Sequence, residues 1–266
     1  MGLDITKFLA DWPFEPGQVT ARRIYGDDGS EKLQLRLDLG VLQMEVVGRP
    51  DGARPFEQES LLAHYEQLLQ QHRLERGTDE NFRLDAQACE LLRLEGVMYY
   101  HRYLAAFVLE DYELVQRDTL RNLRLFDFLA AYAGEESDRC AMEQHRPYVI
   151  MMSTRAKAMI ALGQKRPKAA VVIAQRGMEA IKSFYRRSGF EKIAASCSEI
   201  AILKTLIRHI ESSIPVDPIK LIKRQLAKAI RDERYEDAAG YRDQLTKLSP
   251  VRPADQATGK SVNPES

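Results

Sequence analysis

Residues 19–47 read VTARRIYGDDGSEKLQLRLDLGVLQMEVV, and the period of their apolar residues decides which fold class the chain can enter. Leu33, Leu35, Leu37 and Leu39 alternate with Gln34, Arg36 and Asp38. Successive side chains of a strand point to opposite faces, so this run has one apolar and one polar face, the mark of a half-buried strand. Gly26-Asp27-Asp28-Gly29 supplies the residues that a hairpin turn needs, and Leu39-Gly40 offers a second reversal. The spacing predicts an antiparallel three-stranded meander over 19–25, 32–38 and 41–47.

Downstream the period changes. Asp51-Gly52 and Pro55 punctuate the chain, and Leu61, Leu62, Tyr65, Leu68 and Leu69 then recur at helical spacing, which predicts a helix over 56–74. No alternation of period two returns between 84 and 213. Breaks at Glu110-Asp111, Gly134, 163–167 and Ser188-Gly189 divide that stretch into five expected helices, over 85–109, 112–133, 138–162, 168–187 and 191–212. The middle reads either as a plain helical bundle or as tetratricopeptide-like hairpins. The second reading rests on Leu91, Glu95-Gly96, Tyr99 and Tyr100, and on Ala156, Ala158, Ala161 and Leu162-Gly163. The class is therefore α+β, mainly α. Its expected segments are 1–75 (meander plus helix), 84–213 (helical hairpins), 214–249 (a C-terminal hairpin) and a disordered tail at 250–266. The tail, SPVRPADQATGKSVNPES with its preceding Ser249, offers almost no apolar surface to offset its ordering entropy.

Composition narrows the function. Apolar residues at 44% and charged residues at 29% are ordinary globular usage, and 39 Lys+Arg against 39 Asp+Glu exclude a uniformly basic coat for nucleic acid. Cys89, Cys140 and Cys197 lie too far apart for a metal knuckle or a disulfide framework, and each reads as a thiol on an apolar helical face. A reducing, cytoplasmic location is expected, since MGLDITKFLADW lacks the basic and apolar regions of a signal peptide and no long apolar run suggests a membrane span.

The segment at 219–248, IKLIKRQLAKAIRDERYEDAAGYRDQLTKL, carries two apolar stripes at helical spacing. Ile219, Ile222, Leu226, Ala229 and Ile230 form the first, and Tyr235, Ala238, Ala239, Tyr241 or Arg242, Leu245 and Leu248 the second, with a bend expected over 232–234. Two helices of about 14 residues are marginal alone. Two short helices do not cover both stripes completely, so the hairpin seeks a partner, either a second copy or another protein. Ile222, Leu226, Ala229, Ile230, Glu233, Tyr235, Glu236, Ala238, Ala239, Arg242, Asp243, Leu245 and Leu248 also meet the pattern of the UVR motif, found in the UvrB and UvrC proteins of bacterial excision repair. The segment closely resembles that family, and the meander and helical middle look similar to UVR-containing proteins of planctomycete-type bacteria. The resemblance implies that these thirteen residues serve protein association, with a UvrB/UvrC-like or Clp-type partner or by self-association. It implies no catalysis.

Nothing else in the sequence signals chemistry. There is no G-x-x-x-x-G-K-[ST] loop, no H-E-x-x-H, and no G-x-S-x-G elbow with plausible triad partners. No enzyme, metal or cofactor is expected. Tyr99-Tyr100-His101-Arg102-Tyr103 is read as placing two rings in the core, with a ligand-lining groove as the alternative. Charge is unevenly distributed: residues 75–138 hold 14 acids and 7 arginines, whereas 155–188 hold 9 Lys/Arg and only Glu179 as acid. Lys165, Arg166, Lys168, Arg176, Arg186 and Arg187, with Arg155, Lys157 and Lys182, are expected to pair internally with the acidic neighbour or to be solvated. The alternative is a weak nucleic-acid surface, which would make the chain an accessory factor of DNA repair.

Overall fold

The computed structural model describes residues 4–214 and 218–248. The chain divides into two compact units, Met1–Ser212 and Ser213–Ser266. The segment 250–266, expected to be disordered, lies outside the described residues.

The first unit begins with a short helix, α1 (Thr6–Ala10), and the meander of β1 (Ala21–Tyr25), β2 (Glu31–Arg36) and β3 (Val41–Glu45). Both pairings are antiparallel, with Arg23 opposite Leu33 and Leu33 opposite Met44. Gly29, at φ 74°, closes the first turn as its N–H donates to the Gly26 carbonyl at 2.9 Å. Leu33 and Leu35 are buried, as their alternation requires. The intervening face is not solvated: Lys32, Gln34 and Arg36 are also buried. Lys32 ion-pairs with Glu45, Gln34 donates to Gln43 at 2.9 Å and accepts from Arg22 at 2.7 Å, and Arg36 donates to the Trp12 carbonyl at 2.7 Å. A polar face can be covered when each group that leaves water finds a partner.

Helices α2 (Leu61–Arg76), α3 (Ala86–Val108), α4 (Tyr112–Tyr132), α5 (Glu136–Cys140), α6 (Arg146–Gly163), α7 (Pro167–Arg187), α8 (Glu191–Ser196) and α9 (Ser198–Ser213) follow. The helix expected over 138–162 is two pieces, because the chain passes through a 3-10 turn at Glu143–His145 and Pro147 suits only the first turn of α6. The helix expected over 191–212 breaks at Cys197, whose ψ of 126° is extended. Cys140 is exposed at the end of α5, not on an apolar face; Cys89 and Cys197 are buried.

Consecutive helices pack α3 on α4, α4 on α6 and α6 on α7. Gly177 permits the last approach, since a Cβ there would lie 2.8 Å from Thr154 Cβ. One core joins Leu33, Leu35 and Met44 of the meander to Tyr103, Val115, Met152, Ile181 and Leu203. The meander and helical middle, read as separate segments from the sequence, thus share apolar packing.

The hairpins α3–α4 and α6–α7 turn in the same way. Glu110 and Lys165 adopt the left-handed region, at φ 59° and 58°. In each turn the next residue donates back to a buried alanine, Asp111 to Ala106 and Arg166 to Ala161, both at 2.9 Å. Paired reverse bonds of this kind satisfy carbonyls that a helix end leaves open.

Within the core lies an ionic network. Arg102 and Asp118, each 1% exposed, form a two-pronged pair at 2.7 and 2.9 Å. Arg102 also donates to the carbonyls of Glu45 and Gly48, which ties α3 to the end of the meander. Buried Glu95 pairs with Arg121 and accepts the Leu61 N–H at 2.7 Å, so α3 caps α2.

Candidate functional site

The second unit is a helical hairpin of α10 (Pro218–Arg231) and α11 (Tyr235–Leu248), which pack on each other. Its turn repeats the device of the first unit. Glu233 is left-handed at φ 57°, Arg234 N–H donates to the Ala229 carbonyl at 2.8 Å, and Glu233 N–H to that of Ile230 at 3.2 Å. Ala229, whose carbonyl accepts from Arg234, is fully buried.

The thirteen motif residues fall into three groups. Ile222, Ala229 and Ala238 are buried, and Leu226 and Leu245 are half-buried, so these five line the apolar seam. Ile230 (54% exposed), Tyr235 (69%), Leu248 and Ala239 lie outside it. Glu233, Glu236, Arg242 and Asp243 are exposed and form no ion pair among the described residues, whereas Arg234 pairs with Asp237 at 2.8 Å. At 100° per residue, Tyr235, Ala239 and Arg242 share one face of α11. Ile230 lies on the corresponding flank of α10, beside Leu226. Leu221, 45% exposed on the opposite side of α10, was not singled out by sequence because it sits off the stripe. Five Lys/Arg and no acid occur over 219–231, so α10 frames this apolar face with positive charge.

Of the basic residues in the first unit, Lys165, Arg166, Lys168, Arg176, Arg186 and Arg187 are all exposed. None pairs with an acid of 75–138. Lys182 reaches Glu179 at 2.6 Å, Arg186 approaches Glu191 at 3.8 Å, and half-buried Arg155 lies 4.2 Å above the Phe107 ring. Half of the acids of 75–138 find other partners, as in Arg102–Asp118, Arg121–Glu95 and Arg93 with both Glu90 and Asp138. The expectation that the basic stretch pairs with the acidic one is therefore corrected, while its solvated alternative agrees with the exposure of these side chains: of the fourteen acids, Glu90, Glu95, Asp118 and Asp138 pair with arginines of their own stretch, and Asp79, Asp111 and Asp127 with Arg73, Arg23 and Arg146.

The aromatic run splits as its helical spacing requires. Tyr99, Arg102 and Tyr103 are buried, while Tyr100 and His101 border a cavity. Burial pushes the His101 imidazole below its ordinary range and Tyr148 up to about 12. Among the described residues no three His, Cys, Asp or Glu side chains are placed to hold a metal ion, and no helix is long and apolar enough to cross a membrane.

The hairpin thus has a closed seam, and Ile230 and Tyr235 stay exposed beside it. Residues 217–249 match the UvrB/uvrC motif, and this segment of the chain carries it. Comparison with curated proteins and with solved structures gave no match for the chain.

Proposed function

We propose that the chain is a non-enzymatic adaptor of the cytoplasm that associates with another protein through the α10–α11 flank formed by Ile230, Tyr235 and Ala239. The observation that carries this reading is the exposure of Ile230 and Tyr235 beside a seam already closed by Ile222, Ala229 and Ala238, on the segment that bears the motif. Clustered apolar groups gain by leaving water, at about 25 cal/mol per Å², and an aromatic ring flanked by charge is a common anchor at interfaces. Arg242 and the basic residues of α10 suit a partner surface that carries carboxylates, and such rim pairs set orientation more than affinity. A UvrB/UvrC-like or Clp-type protein, or a second copy of the chain, meets this description. Three unpaired cysteines support the reducing location.

Quantitative affinity capture with wild-type, Ile230→Asp and Tyr235→Asp chains tests the reading. The protein retained by wild type should fall at least roughly tenfold with either variant, since a carboxylate set against an apolar surface costs several kcal/mol. Equal recovery with all three would sink it.

A second reading, nucleic-acid binding by a repair accessory, draws on exposed Lys165, Lys168 and Arg176, which have no carboxylate partner among the described residues. A handful of phosphate contacts would give affinity of about 10⁻⁴ to 10⁻⁶ M that falls steeply with salt. Duplex and single-stranded DNA titrated at two salt concentrations decide it: submicromolar binding that survives about 200 mM salt would displace the adaptor reading.

A further inference from the structure

A cavity of about 630 Å³ opens in the first unit between α3, α4, α6 and the Glu143–His145 turn. Val97, Tyr100, Tyr103, Phe126, Met142 and Tyr148 form its walls. The Tyr100 ring stands at 88° to that of Tyr103, with centroids 5.5 Å apart, and at 59° to that of Tyr148, 6.1 Å away. Such a corner offers both an edge and a face to an incoming ring.

The polar groups around it sort into spent and unspent. Arg93 is held by Glu90 and Asp138, and Glu199 accepts from Cys197 and Ser198 but forms no ion pair among the described residues. Asn122 donates to the Gly96 carbonyl at 2.9 Å and accepts from Arg121. Tyr103, by contrast, is only 1% exposed, yet its hydroxyl makes no hydrogen bond among the described residues. Tyr103 lines the cavity, and its hydroxyl is not among the fully enclosed polar atoms without a partner. Buried hydroxyls are nearly always paired, which makes an unspent one at a cavity wall a recognition group. Tyr100, His101 and Tyr148 also make no side-chain hydrogen bond among the described residues and complete the unspent set.

We propose that this cavity binds a small molecule without negative charge, built on one or two aromatic rings, whose hydroxyl, amide or ring nitrogen pairs with the Tyr103 hydroxyl. The absence of negative charge follows from Arg93, the one Lys or Arg of the lining: Glu90 and Asp138 hold it, so an anion would meet no free guanidinium or ammonium there. The volume lies within the range of ordinary small-molecule sites, and the lining mixes apolar walls with a few convergent polar groups, as such sites do. Burial supports the assignment by holding Tyr103 and Tyr148 protonated and His101 uncharged at neutral pH.

The test titrates p-cresol and toluene, which share a ring and differ by one hydroxyl, into the intact chain by ligand-observed NMR. Tyr103→Phe removes only the pairing group, and Val97→Trp fills the mouth from a position already 44% exposed. Wild type should bind p-cresol. Tyr103→Phe should weaken p-cresol about fivefold, the equivalent of roughly one hydrogen bond at 1 kcal/mol, and leave toluene unchanged. Val97→Trp should abolish both while the melting temperature holds. Absence of p-cresol binding at millimolar concentration, equal affinity of Tyr103→Phe for p-cresol, or binding that persists in Val97→Trp would each overturn the proposal. Should Val97→Trp fail to fold, the p-cresol and toluene comparison in Tyr103→Phe decides alone.

Discussion

Arg102 and Asp118 show how one pair can fix the placement of several elements. Both are 1% exposed, and Arg102 spends its remaining donors on carbonyls at the end of β3 and just beyond it. Removal of one member strands a buried charge, so Asp118→Ala should lower unfolding free energy by about 3–5 kcal/mol, read from the urea midpoint. Asp79→Ala, which breaks the exposed pair with Arg73, should leave the urea midpoint nearly unchanged. Similar losses from both variants would contradict the network's role. His101 yields a pH prediction. Burial lowers its folded-state value below its ordinary value of 6.5, so in the window just below 6.5 the unfolded chain binds more protons than the folded one. Stability from this group is present above that window and lost as pH falls through it. The melting temperature of wild type should therefore drop more steeply than that of His101→Gln between about pH 7 and pH 5; parallel curves would refute this.

Among elements, the repeated turn was hidden from the sequence for a physical reason. A left-handed residue after a helix is usually glycine, and here Glu110, Lys165 and Glu233 take that role. The legible trace was elsewhere: a buried alanine four residues before each of them and a buried Val115, Ala170 or Ala238 five residues after. The meander was legible because its apolar period is two. Coverage of its polar face was not, since Lys32, Gln34 and Arg36 read as solvated until their partners are placed. In the hairpin, Gly240 has nothing within 4 Å of an added Cβ. Gly240→Ala should stabilise α11 by about 1 kcal/mol and slow amide exchange there about fivefold. Faster exchange in the variant would mean that the glycine has a structural use that open space does not reveal.

At the scale of the whole molecule, the chain joins a helical unit with a buried ionic core to a hairpin whose apolar stripes are only partly covered. The motif itself was legible, because its thirteen positions are local in sequence. Which of them close the seam was not, since a stripe of period 3.6 does not tell how wide a partner helix covers it. Leu226 belongs to the seam and would report hairpin folding as much as binding, whereas Ile230 and Tyr235 report the outer face. The deciding measurement is the dissociation constant between the intact chain and its captured partner, by calorimetry, for wild type and for Ile230→Asp at matched helicity and melting temperature. The account predicts binding weakened by roughly a hundredfold in the variant, and an unchanged constant would contradict it.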